Sequence, residues 1–301
     1  MFKRLLAGIN RRWMNGERSN DVKREQLCML VDEQNRILNH RCILASPNRQ
    51  GLREKTGALL ETAFIDLAAN LAPTLSVEIG AHEASFSERL KAKCPTLHAI
   101  AFEASPRVFD LHATRLKLPA VGVDYRHIAI SDEDGFAELR MPLGQDGAPL
   151  NPGISSLLHR ANFAYGYQEV RVPALTLDSA LAQLGTERSV AWIDVEGAQH
   201  KIIAGGRRYF TRVAAVYIEI ERVEVWKQQW IDTELAKVLA GFSLIPIMRD
   251  NLAKSQFNEV YIRADNDIME WALPAASRYI AALENMIAAA DVDSSELQTR
   301  R

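Results

Sequence analysis

The stretch LSVEIGAHEASFSERL, residues 75–90, decides the fold. An apolar run closes on an acid, Glu78, and a glycine, Gly80, then passes into a segment with helical periodicity. A strand that meets a helix through a glycine turn is how α/β sheets present a small-molecule cofactor. A dinucleotide asks for more glycine than this, because its pyrophosphate must approach the backbone at G-x-G-x-x-G spacing. The six positions from Gly80 read Gly-Ala-His-Glu-Ala-Ser, and Glu83 falls where the pyrophosphate would sit. No GxxxxGK[ST] occurs in the chain. The loop therefore disfavours an NAD-type, nucleotide-sugar or P-loop site.

Outward from this stretch, short apolar runs alternate with amphipathic segments. The runs are LSVEIG, LHAIAFEA, YRHIAIS, VAWIDVEG and VAAVYIEIE. Helices are expected to begin near Ser85, Pro106, Asp178 and Ala198, with Ser105 as N-cap before a first-turn proline. Alternation of this kind predicts βαβ units and a mostly parallel sheet. FSLIPIM and FNEVYIRA lie too close together for a parallel return, so they predict a C-terminal antiparallel hairpin. A parallel sheet finished in this way resembles the Rossmann-like fold of class I methyltransferases, which is the expected architecture. Residues 135–177 break the rhythm and read as an inserted strand pair around a Gly/Pro/Asn loop. The expected division is a helical N-terminal extension over 1–70, a catalytic domain over 71–265, and a C-terminal helix and tail over 266–301. Within these additions, helices are expected over 59–71, after a loop at SPNRQG (46–51), and over about 270–290.

Composition narrows the partners. Among 301 residues, 36 Lys and Arg nearly balance 38 Asp and Glu, which argues against a nucleic-acid binder. Cys28, Cys42 and Cys94 are scattered without metal or disulfide spacing and point to a reducing, cytoplasmic compartment. No metal site is assigned. The start, MFKRLLAGINRRW, sets Phe2, Leu5, Leu6, Ile9 and Trp13 on one helical face beside basic residues. That pattern permits peripheral contact of residues 1–14 with the inner membrane surface, and equally a frayed tail or a helix packed on its own domain. It and the Ala-rich C-terminal helix also permit a homodimer.

S-adenosylmethionine (SAM) suits the loop better than a nucleotide. It has no phosphate, and its sulfonium and ammonium are positive. Gly80 allows a close backbone approach, and Glu78 can accept from the ammonium. A second acid closing the next strand, about twenty residues on, would hold the ribose hydroxyls, and Glu103 stands there.

With those residues in place, the order of motifs resembles the FkbM-type methyltransferases over about residues 75–264. Glu78-Ile79-Gly80-Ala81-His82-Glu83-Ala84 is similar to that family's D-x-G-A-N-x-G, and Glu103-Ala104-Ser105-Pro106 to its E-P-x-P. Ala129-Ile130-Ser131 answers a strand end, and Ser155-Ser156-Leu157 a loop serine pair. Thr176-Leu177-Asp178, followed by Trp192-Ile193-Asp194-Val195-Glu196-Gly197-Ala198-Gln199, resembles T-L-D and K-[IL]-D-x-E-G-x-E. Glutamate at 78, His82, Ala84, Trp192 and Gln199 depart from the pattern and mark a divergent member. The resemblance implies SAM bound through Glu78, Gly80, His82, Glu103 and Ser131. It implies a hydroxyl acceptor on a glycan or secondary metabolite, with Ser155 and Ser156 beside it.

Asp194 and Glu196 stand two apart past a strand end, where open α/β sheets bind ligands, so both are expected at the acceptor rim. Such a pair can deprotonate a hydroxyl, orient it or share a cation, while Glu196 could instead cap the next helix. His200, four residues on, is a further candidate base. Trp226 and Trp230 are expected on one face of a helix, either as a sugar-stacking surface or as packing. The reading these residues favour is a SAM-dependent O-methyltransferase. The alternative is a catalytically divergent SAM-fold protein serving as a binding or assembly module.

Overall fold

The computed structural model describes residues 29, 49–115, 118–186, 188–250 and 256–299. One compact unit spans Ala68–Ser243. Its central strand, β1 (Leu75–Ile79), is buried at all five positions, as a strand covered on both faces must be. β1 pairs in parallel with β2 (His98–Glu103) on one side and β7 (Ser189–Ile193) on the other. β3 (Val123–His127) extends the first side and β8 (Ala215–Glu221) the second, both parallel. The chain therefore runs outward from β1 to β3, then crosses back to start again at β7. That reversal makes the crevice past the carboxyl ends of β1 and β7 the natural ligand site.

The helices lie where the sequence predicts. α2 (Ser85–Lys93) follows β1, and α3 (Pro106–Arg115) follows β2 with Ser105 Oγ accepting from Val108 N at 3.4 Å. α4 (Leu177–Ala180), α5 (Gln199–Gly205), α6 (Arg207–Phe210) and α7 (Asp232–Gly241) complete the unit. The insertion is a sheet of its own, with β4 (Ala129–Ser131) beside β6 (Tyr167–Thr176), and β6 antiparallel to β5 (Gly135–Pro142). Its small core is Ala129, Leu139, Val172 and Ala174.

The described residues before Ala68 and from Leu244 onward form the other unit. β9 (Leu244–Arg249) and β10 (Gln256–Arg263) make the expected antiparallel hairpin. A buried Arg249–Glu259 ion pair and the Tyr261 hydroxyl, which donates to Glu259 at 2.5 Å, lie within it. α8 (Asn266–Thr299) is longer than expected at both ends and ties to the hairpin through the Tyr279 hydroxyl, which donates to Arg249 O at 2.9 Å. α1 (Arg49–Asn70) likewise begins ten residues early, inside the stretch expected to be loop.

One expected helix is missing. Residues 222–231 form bends and a turn. Gln229 Oε1 accepts from the backbone N–H groups of Val225 and Trp226, at 2.7 and 2.5 Å, and Gln228 takes φ +67°. A side chain that captures these donors competes with helix formation. No described helix is long and apolar enough to cross a membrane. Cys94 is free, whereas Cys28, Cys42 and the amphipathic residues 2–13 lie outside the described residues.

Candidate active site

The turn after β1 is built by backbone contact. Gly80 has φ +75°, and a Cβ there would lie 1.9 Å from Asp194 O. Phe102 O accepts from both Gly80 N and Ala81 N at 3.0 Å, and Ile79 O accepts from Asp194 N at 3.0 Å. The ends of β1, β2 and β7 are thereby locked together. His82 and Ala84 also sit at positive φ, 45° and 57°, where a side chain costs about 1–2 kcal/mol.

Glu78 does not reach the cavity. It is 2% exposed, and its carboxylate accepts from Phe86 N at 3.4 Å and Ser87 N at 2.8 Å, the first N–H groups of α2. A phosphate binds a helix N-terminus through such donors, but here the protein supplies its own carboxyl group as acceptor. Burial, opposed by these hydrogen bonds, pushes the Glu78 pKa up to about 7.

Past the strand ends lies a cavity of about 250 Å³. Its polar lining is Gly80, His82, Glu103, Ser155, Ser156, Asp194 and Glu196, set among apolar residues such as Phe102, Val108, Ile128 and Leu139. Glu103, 8% exposed, accepts from Ser105 N at 2.7 Å through Oε1 and from His82 N at 2.9 Å through Oε2. Each oxygen has one further acceptor site, so the carboxylate is fixed in orientation and still able to receive two hydroxyls. Burial raises its pKa, and the two N–H donors oppose the rise.

The opposite wall is acidic. Asp194 is exposed and Glu196 half-buried, directly after β7. Glu196 Oε2 accepts from Trp226 Nε1 at 3.2 Å, and a Cβ on Gly197 would lie 2.5 Å from the same indole. Trp226 is 1% exposed. The structure thus corrects the stacking expectation: the indole is an interior anchor for Glu196 and offers no face to a sugar. Burial and the Asp194 charge raise the Glu196 pKa to about 7, against Trp226 and Arg160.

Ser156 lines the cavity and also fastens the insertion to this wall. Its hydroxyl donates to Glu196 O, while Arg140 and Ser156 exchange backbone hydrogen bonds at 2.8 and 3.0 Å. Two further expected residues are elsewhere. Ser131 donates to Asp132 Oδ1 at 2.9 Å and lies outside the cavity lining, although Ala129 and Ile130 of the same strand line it. His200, in the first turn of α5, packs its ring 5.7 Å from that of Trp230 and does not line the cavity. Burial, joined by the Lys201 charge, lowers its pKa.

Glu219 and Glu221 of β8 went unremarked in the sequence, although two acids at alternate positions of an apolar strand were a usable signal. Burial and neighbouring carboxylates raise Glu219 well above the ordinary range and Glu221 to about 8.

A parallel sheet reversing beside β1, with an acid closing β2 and an acidic rim after β7, defines a Rossmann-like methyltransferase. Residues 78–260 match the model of the methyltransferase FkbM domain, and the chain belongs to that family. It is similar to the 2-O-methyltransferase NoeI of Sinorhizobium fredii, with 26% identity over 208 residues, 65% of this chain and 83% of that protein. Among solved structures, a methyltransferase FkbM from Methylobacillus flagellatus KT aligns with 10% identity and a TM-score of 0.40. The alignment covers 64% of this chain and 44% of that one, so this chain spans less than half of the Methylobacillus protein. An rRNA methylase from Streptococcus thermophilus aligns with 10% identity and a TM-score of 0.38, over 66% of this chain and 93% of that one.

Proposed function

We propose that the protein transfers a methyl group from SAM to a hydroxyl of a sugar, glycan or secondary metabolite. The observation that carries this reading is a single cavity onto which Glu103 and the Asp194–Glu196 rim both open. The donor set fits SAM. Glu78 already satisfies the α2 N-terminus, which removes the usual phosphate cradle, and the acidic rim favours a cationic ligand. Glu103, held by His82 N and Ser105 N, would accept the ribose hydroxyls.

SAM, when bound, supplies an activated methyl group, so the chain need only position the acceptor and take its proton. Asp194, exposed at the rim, orients the acceptor hydroxyl and receives its proton as the oxygen–methyl bond forms. Glu196, held by Trp226, shapes the same wall. The kinship with a 2-O-methyltransferase supports oxygen as the accepting atom.

Calorimetric titration with SAM and with S-adenosylhomocysteine tests the reading. Micromolar binding, weakened at least tenfold in Glu103→Ala, is the expected result, followed by methyl transfer to hydroxyl acceptors that Asp194→Ala abolishes. A folded sample that binds neither compound would refute it and leave the binding or assembly module. Binding with full turnover in Asp194→Ala would retain the donor and remove the assigned base.

A further inference from the structure

Three carboxylates from two neighbouring strands converge beside the cavity. Glu219 and Glu221 occupy alternate positions of β8, so both side chains leave the same face of the sheet. β7 pairs with β8 up to Ile193↔Ile218, and the chain beyond carries Glu196 to the same edge. Ligand oxygens of Glu196, Glu219 and Glu221 all lie within 4.8 Å of one another. Oxygens held by one ion at about 2.0–2.6 Å fall within about that separation.

The acids alone would mean little, but Glu221 adds a separate observation. It is 1% exposed, and both its carboxylate oxygens are buried without a hydrogen-bond partner. Glu219 Oε2 is buried in the same state. Among the described residues, no lysine or arginine forms an ion pair with either. Gln229 is a partial counterweight: its amide lowers the Glu221 pKa, although its Nε2 is buried without a hydrogen bond of normal geometry and its Oε1 is engaged by backbone N–H groups. A buried carboxylate of this kind is costly unless paired or bound to a metal. Protons could neutralise the group, as the raised pKa values of all three show. A shared proton, however, requires oxygens in hydrogen-bond contact, and those of Glu221 have none. Two unpartnered oxygens on a buried carboxylate, with two further carboxylates within reach of a common centre, suit an ion.

We propose that Glu196, Glu219 and Glu221 form a binding site for one hard divalent cation, Mg²⁺ or Mn²⁺. An all-carboxylate set without nitrogen or sulfur selects hard ions. Glu196 and Glu219 are half-buried, which leaves an approach from solvent, and water would complete the shell. The site is independent of the methyl donor, so its failure and that of the proposed function are distinguishable.

The test is titration of EDTA-treated, full-length protein with Mn²⁺ in the absence of SAM, followed by calorimetry and by the electron paramagnetic resonance of free Mn²⁺. One Mn²⁺ per chain, displaced by Mg²⁺ and accompanied by a higher melting temperature, is expected. Glu221→Gln should weaken binding at least tenfold. In EDTA that variant should melt no lower than wild type, because the amide keeps the shape of the carboxyl and can carry no charge beside Glu196 and Glu219 at any pH. Should it fail to fold, Glu219→Gln carries the same comparison. No saturable binding by folded wild type up to ~1 mM overturns the proposal. Unchanged affinity in the folded glutamine variants does so equally.

Discussion

Gly80 and Asp194 meet backbone to backbone: a side-chain carbon on the first would lie 1.9 Å from the carbonyl oxygen of the second. The glycine is fixed by the junction of two strands before any ligand is considered. Asp194 O cannot withdraw, because Asp194 N donates to Ile79 O and β7 is paired with β1 along its length. Gly80→Ala therefore meets both a backbone clash and a positive φ. A loss of at least ~3 kcal/mol in urea unfolding, or failure to fold, is expected. A loss below ~1 kcal/mol would show that the junction yields.

Ala84 poses the opposite case in the same turn. It too has positive φ, but its burial is ordinary core packing. Ala84→Gly relieves about 1–2 kcal/mol of left-handed strain. Against this stand about 0.5–1 kcal/mol of glycine entropy and about 0.8 kcal/mol for the buried methyl. The terms nearly cancel, and stability within ~0.5 kcal/mol of wild type is expected by the same urea assay. A loss beyond ~1 kcal/mol would mean that the methyl packs more tightly than its burial suggests.

These two positions show why part of the site was legible in the sequence. The strand-glycine-helix signature, the alternation of strands and helices, and the hairpin are local patterns, and the fold followed from them. Glu103, Asp194 and Glu196 line the cavity because strand ends converge in any such sheet. Glu78, Ser131 and Trp226 were harder, since each depended on which partner a side chain meets across the fold. Glu78 turns inward to the α2 N-terminus, Ser131 gives its hydroxyl to Asp132, and Trp226 buries under Gly197. Periodicity reports which residues are apolar, and says little about which donor a given acid will find.

Trp226 separates the two readings of an aromatic near an active site. As an interior anchor it should be costly to truncate: Trp226→Ala is expected to lose about 3–5 kcal/mol. Trp226→Phe keeps a ring over Gly197 but removes the Nε1 donor to Glu196, for a loss of about 1–3 kcal/mol. Thermal and urea unfolding of both variants provide the check. An alanine variant as stable as wild type that lost acceptor binding alone would restore the stacking role.

Glu78 should leave a signature in the pH dependence of stability. Its pKa in the folded protein is about 7, above the ordinary 4.5, because burial outweighs the hydrogen bonds from Ser87 and Phe86. Between those two values the unfolded chain has released a proton that the folded chain still holds. The contribution of Glu78 is therefore most favourable below pH 4.5, falls as pH rises towards 7 and levels off above it. The span is on the order of 3 kcal/mol. Glu78→Gln removes this titration while keeping one acceptor for the α2 N–H groups. Other buried carboxylates slope the same way, so the informative quantity is the difference between the two proteins. Urea unfolding at pH 5, 6, 7 and 8 should show the glutamine variant gaining on wild type with each step up to about pH 7. Parallel curves across that range would mean that Glu78 is already ionised at pH 5, its charge carried by the first turn of α2.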